Sequence, residues 1–216
     1  MEELPSQKQI IADLKSGREQ ALAKYFSMLR SRLEKVVRFR LDYRLKGRVS
    51  ESDILQETYV RAAQRLDSFL QKPSMPLFVW LRLETQQHLL DVYRKHFEAS
   101  KRDVRKEISF TRPAHGNAGD TSMALAAHLV AQMTSVSQLI EKSVKIAALE
   151  DTLNEMSELD REVIALRHFE ELSNIETAEV LGIEPSAASK RYLRALKRLR
   201  EILELLPDFQ NPGSQL

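Results

Sequence analysis

The segment from Ser186 to Arg200 carries Lys190, Arg191, Arg194, Lys197, Arg198 and Arg200 and no acidic residue. On one helix such a row can neutralise phosphates and displace their counterions. The stretch before it is acidic instead, with Glu170, Glu171, Glu176 and Glu179, so charge is segregated rather than mixed. With 33 basic and 31 acidic residues the formal net charge is only +2, and the clustering of charge, not its balance, carries the signal. The turn before the basic segment is equally informative. Ala178 is small enough for two helices to cross closely, Gly182 can take the left-handed conformation, and Ile183 can plug the shared core, with Ala188 and Leu193 facing it from the next helix. This pattern is that of a helix-turn-helix, a short helix docked across a longer one. At the N-terminal end of the longer helix Glu184, Ser186, Ala187 and Lys190 are placed for base edges in a major groove, and Arg191, Arg194 and Lys197 for phosphates. A basic face that merely meets water is the bland alternative, and the Ala-Gly-Ile turn is what weighs against it.

Other chemistries lack their residues. There is no cysteine, which removes disulfides and thiolate metal sites and suits a reducing compartment. The five histidines, at 88, 96, 115, 128 and 168, show no metal-ligand spacing, and six glycines include no phosphate-cradling loop. An enzyme, a cofactor and a bound metal are therefore not expected. The N-terminus, Met-Glu-Glu-Leu-Pro, does not read as a signal peptide, and no window approaches the ~18 apolar residues of a membrane span. A cytoplasmic location is expected.

The elements that would position these residues are helical. Aromatics make up 6% of the chain and glycine is scarce, which favours an all-α fold. A short helix from Ser6 to Lys15 closes at Gly17, and a second carries Leu22, Tyr25, Phe26, Leu29, Leu33, Val36 and Val37 at helical spacing, with a basic outer face and a stop at Gly47. Ser50 or Ser52 caps a third, with Leu55, Tyr59, Ala62, Leu66 and Phe69 as its apolar stripe. Gln71 to Pro76 is a loop, and a fourth helix runs from about Leu77 to His96. From Glu98 to Asp120 the pattern degrades into a linker with a basic cluster, Lys101, Arg102, Arg105 and Lys106. Thr121 or Ser122 caps a helix over Met123 to Met133, and another runs from Val136 to Met156. Ser157 with Asp160, the Ser173–Glu176 capping box and Pro185 then open the last helices, the final one reaching about Leu206. The organisation expected is two small helical domains, 1–97 and 148–206, joined by a partly helical linker at 98–147 and followed by a flexible tail at 207–216.

The segment Ser52-Asp-Ile-Leu-Gln-Glu-Thr-Tyr-Val-Arg-Ala-Ala-Gln-Arg-Leu-Asp-Ser-Phe69 resembles the signature helix of sigma-70-type RNA polymerase sigma factors. Phe78-Val-Trp-Leu-Arg-Leu-Glu-Thr-Gln-Gln-His-Leu-Leu-Asp-Val-Tyr-Arg-Lys95 resembles the helix after it there, and Leu159 to Ser173 leads into the helix-turn-helix as their last domain does. The two-domain layout is similar to the extracytoplasmic-function subgroup. The likeness covers most of 10–97 and 148–203.

The resemblance implies partners and roles. The signature helix would dock on core RNA polymerase through Asp53, Gln56 and Glu57, with Arg61 and Gln64 further along. The next helix would recognise and melt the minus-ten promoter element, which needs stacking surfaces and cations for the exposed strand. The loop, with Gln71, Lys72 and Ser74, would pocket a flipped base, and Trp80, Gln87, His88, Asp91, Arg94 and Lys95 would line the DNA-facing side. Trp80 is equally readable as core. The helix-turn-helix would hold the minus-thirty-five element. The partners implied are core polymerase, double-stranded promoter DNA and its melted single strand, and the family also admits an anti-sigma factor. Three features depart from the pattern: Ala187-Ala188 replaces bulkier residues in the recognition helix, Glu84, Gln86 and Gln87 make the melting helix less basic, and the linker is long. The alternative is a helix-turn-helix regulator that binds DNA without being a polymerase subunit, which would not need Asp53-Ile-Leu-Gln-Glu-Thr.

Overall fold

The computed structural model describes residues 4–45, 47–97, 118–133 and 139–204. Among the described residues, eight α-helices form two compact units, α1–α3 and α4–α8.

In the first unit, α1 (Gln7–Arg40) begins where the Ser6 hydroxyl accepts from the Gln9 N–H at 3.4 Å. It breaks at Arg18, which takes φ 38° and ψ −111°. The expected stop at Gly17 is thus a kink one residue later, still inside the element, and the Arg18 guanidinium is paired with Asp67. Beyond the kink Leu22, Tyr25, Phe26, Leu29, Leu33, Val36 and Val37 are all buried, a continuous stripe at helical spacing. The chain leaves α1 through extended Leu41, a 3₁₀ turn at Tyr43–Leu45, and Gly47 at φ 90°. Of the two candidate caps for α2 (Glu51–Gln71), Ser50 is the one used, accepting from Asp53 N–H at 3.0 Å. Its stripe of Leu55, Ala62, Leu66 and Phe69 is buried, and half-buried Tyr59 meets Phe26 edge-on with centroids 5.3 Å apart. Helix α3 (Leu77–Phe97) buries Leu77 to Leu81 as a run and packs on both α1 and α2.

In the second unit, α4 (Ala118–Met133) packs on α5 (Leu139–Leu153) and α6 (Glu158–Ile164). Thr121 and Ser122, expected as caps, lie inside α4 and are buried. Thr121 donates to Glu162 Oε2 at 2.9 Å and Ser122 to Asn154 Oδ1 at 2.8 Å. Their hydroxyls are taken up by tertiary partners, so neither caps the helix. Residues 118–133, expected within the linker, therefore belong to the second unit. The basic cluster at 101–106 and the tail at 207–216 lie outside the described residues. At the α5–α6 corner, buried Arg161 donates to the Leu153 and Met156 carbonyls at 3.1 and 2.6 Å, satisfying groups the end of a helix leaves open. Burial pulls the Arg161 guanidinium below its ordinary pKa.

Candidate nucleic-acid interface

Local hydrogen bonding sets the helix-turn-helix. Ser157 caps α6 by accepting from Asp160 N–H at 3.2 Å, and a π-turn at Ala165–Phe169 extends it. Ser173 and Glu176 form the reciprocal capping box at the start of α7 (Asn174–Leu181). Gly182 takes φ 63° and ψ 37°, and the Ile183 N–H returns to the Ala178 carbonyl at 3.0 Å, closing the left-handed end of a helix. Pro185 opens α8 (Pro185–Glu204). The Asn174 amide bridges the two helices, donating to the Pro185 carbonyl at 2.8 Å and accepting from Ser189 Oγ at 3.0 Å.

Helix α8 buries Ala188, Ala195, Leu199 and Ile202, with Tyr192 half-buried between them. Ala178 is buried and Ile183 half-buried, as the turn requires. Leu193, expected in this core, is 67% exposed. One step along a helix is about 100° of rotation, and it is Tyr192 that falls on the buried side. Leu193 joins exposed Ser186, Lys190 and Lys197 on the outer face, and Glu184, Ala187 and Arg194 are exposed as well. The structure thus brings most of the proposed base and phosphate contacts onto one accessible, cationic surface. Arg191 differs: it is half-buried and its Nη1 donates to Asp160 Oδ1 at 2.8 Å. It holds α8 to α6 before any phosphate is present.

In the first unit the surface of α2 presents Asp53, Gln56, Glu57 and Gln64, all exposed. Val60 sits among them, 41% exposed, an apolar centre that periodicity alone did not single out. Arg61 is half-buried rather than free. Its Nη1 donates to Asp91 Oδ2 at 2.6 Å and its Nε lies 3.5 Å from Glu57. The bond to Asp91 is the main reason its pKa is raised, so this guanidinium is a tie between α2 and α3.

The residues expected along α3 divide. Gln87 and Lys95 are exposed, Arg94 is half-buried, and Gln71, Lys72 and Ser74 at the loop are exposed. Asp91 is occupied by Arg61 and lies 3.7 Å from Arg94. Trp80 and His88 are each only 8% exposed, which corrects their expected place on the accessible face. Trp80 stacks on Phe69 with centroids 4.4 Å apart and planes 12° from parallel, a core pairing. His88 is held below its ordinary pKa by burial first and by Arg61 second, with Glu57 and Asp91 acting the other way. Gln71 also borders a shallow cleft of about 390 Å³ lined by Lys15, Arg18, Asp67 and Leu70. Its two cations come from α1, too far along the chain for spacing to have connected them to the loop.

Residues 146–199 match the family described as Sigma-70, region 4. The chain is 29% identical over 152 residues to the RNA polymerase sigma factor CnrH of Cupriavidus metallidurans, covering 70% of this chain and 72% of CnrH. It is 27% identical over 201 residues to the ECF RNA polymerase sigma factor SigW of Bacillus subtilis, covering 91% and 96%. To the ECF RNA polymerase sigma factor BldN of Streptomyces coelicolor it is 28% identical over 166 residues, 77% of this chain, and it spans only 54% of that longer relative.

Proposed function

Since this chain belongs to the sigma-70-type factors of the extracytoplasmic-function subgroup, we propose that it binds core RNA polymerase in the cytoplasm and directs it to specific promoters. The observation that carries this reading is the pairing of two surfaces in one chain: the exposed Asp53/Gln56/Glu57 face of α2 and the cationic outer face of α8 behind an intact helix-turn-helix. In this reading the α2 face, centred on Val60, docks on the polymerase. Helix α8 enters the major groove of the minus-thirty-five element, with Glu184, Ser186, Ala187 and Lys190 toward base edges and Arg194 and Lys197 toward phosphates. The loop residues Gln71, Lys72 and Ser74, with Gln87, Arg94 and Lys95 of α3, receive the minus-ten element and its melted strand. Trp80 and His88 support that surface from within, and Arg61 and Asp91 hold α2 and α3 together beneath it. An anti-sigma factor that covers either surface fits the same arrangement.

Pull-down with core polymerase tests the reading. The wild-type chain is expected to be retained, and Asp53→Lys with Glu57→Lys to weaken retention about tenfold or more, some 1.4 kcal/mol. Failure of the wild-type chain to bind, or retention unharmed by both reversals, sinks the proposal. DNA binding that persists without polymerase binding would point to the regulator reading instead.

A further inference from the structure

Gln7, in the first turn of α1, reaches a segment far along the chain. Its Nε2 donates to the Met75 carbonyl at 3.2 Å and its Oε1 accepts from the Leu77 N–H at 3.2 Å. Leu77 opens α3, so its N–H is one of those a helix start leaves without an internal partner. The loop before it has little to hold itself. Pro73 and Pro76 have no N–H to give, Lys72, Pro73 and Ser74 are exposed, and Ser74 N–H to the Lys72 carbonyl at 2.8 Å is a bond internal to the loop. The segment bearing Gln7 is itself anchored. Ser6 caps it, Ile10 and Leu14 are buried, and Arg18 at the kink pairs with Asp67 near the end of α2.

We propose that Gln7 is a positioning residue for the 72–76 loop: its carboxamide holds the carbonyl on one side of Pro76 and the N–H on the other, presetting the loop for the strand it receives. The inference rests on the promoter-opening role proposed above. A glutamine suits the task because one planar group offers a donor and an acceptor side by side, whereas a carboxylate offers only acceptors. Fixing the loop in advance removes an ordering cost at the moment a base is captured, and small misplacements of such a site reduce rates strongly.

The test compares Gln7→Ala, which loses both bonds, with Gln7→Glu, which keeps the bond from Leu77 and loses the one to Met75. Gln9→Ala, which loses only an exposed bond to Asp13, is the control. Four readouts are taken on the full chain: hydrogen exchange of the Leu77 amide, the thermal midpoint, affinity for core polymerase, and promoter opening by holoenzyme, followed by permanganate reactivity of thymines in the minus-ten region. Gln7→Ala is expected to speed Leu77 exchange and slow opening about tenfold, with core-polymerase affinity and thermal midpoint close to wild type. Gln7→Glu falls between, and Gln9→Ala matches wild type. Unchanged Leu77 exchange, or faster exchange with unchanged opening, overturns the proposal alone. A wild-type holoenzyme that opens no promoter sinks the sigma-factor reading and this inference with it.

Discussion

Substituting Gly182 isolates the contribution of the turn that aims α8. Its φ of 63° and ψ of 37° lie in the left-handed region, and a Cβ built there meets no atom within 4 Å. Steric collision is therefore absent, and Gly182→Ala costs only the intrinsic penalty of an L-residue in that region, roughly 1–2 kcal/mol. Part of this is offset because alanine restricts the unfolded chain more than glycine does, by about 0.4–1 kcal/mol. The expected net destabilisation is ~1 kcal/mol, a drop of about 4–8 °C in the midpoint of a unit of this size. Asparagine tolerates this conformation better and should cost less than alanine, while valine, stiff at its branched β-carbon, should cost more. Urea unfolding of the full-length chain, followed by circular dichroism, measures the series. An alanine cost above about 3 kcal/mol would mean that the site is sterically closed, contrary to the open space around Gly182; no cost at all would mean that the turn is not left-handed. Either result refutes the reasoning, as would valine matching asparagine.

Trp80 is the only tryptophan, so its emission reports one site. Stacked on Phe69 and buried, it should emit as a core residue and be unchanged by promoter DNA, and Trp80→Ala should cost about 3–5 kcal/mol; quenching by DNA would refute the core placement. His88 binds a proton less readily in the folded chain, with its pKa lowered from 6.5 by burial, so the unfolded state holds more protons just below that pH. Stability should therefore fall as pH drops through about 6.5 and level off below the folded pKa, with no contribution from His88 at higher pH. His88→Leu should flatten that window and stabilise at neutral pH, since buried Nδ1 has no hydrogen-bond partner among the described residues; an unchanged urea-midpoint profile would refute this. In DNA titrations over a range of salt, Arg194→Ala and Lys197→Ala should each reduce the log–log slope by about 0.9. Arg191→Ala should reduce it less, because that guanidinium is already engaged by Asp160; equal changes for Arg191 and Arg194 would refute the distinction.

Several structural features that close within a few residues were legible in the sequence. The Ser157 cap, the Ser173–Glu176 box, the left-handed Gly182 and the Pro185 start each involve groups at most five positions apart, and the structure shows every one. The buried stripe from Leu22 to Val37 was equally plain, because seven apolar side chains at helical spacing leave one way to turn that face inward. The cationic outer face of α8 was visible for the same reason: periodicity places residues on one side of a helix whatever surrounds it.

The tertiary structure decided how each helix is rotated against its neighbours and which polar groups meet across the chain. Leu193 turned outward because Ala188, Tyr192, Ala195, Leu199 and Ile202 form the inner side, one position away from the register expected. Trp80 and His88 turned inward because α3 is packed on both α1 and α2, leaving it a narrower free face than a helix covered on one side. Thr121 and Ser122 read as caps because local spacing offered their hydroxyls nothing else, yet Glu162 and Asn154 were the partners. The Gln7 clamp on Met75 and Leu77 joins groups 68 and 70 positions apart, a distance at which spacing carries no information. A hydrogen bond within one turn is determined by backbone geometry, whereas a bond between helices exists only after their hydrophobic faces have set the angle and register of packing. That is why the helix-turn-helix could be read from its residues, while the surface around the 72–76 loop had to be seen folded.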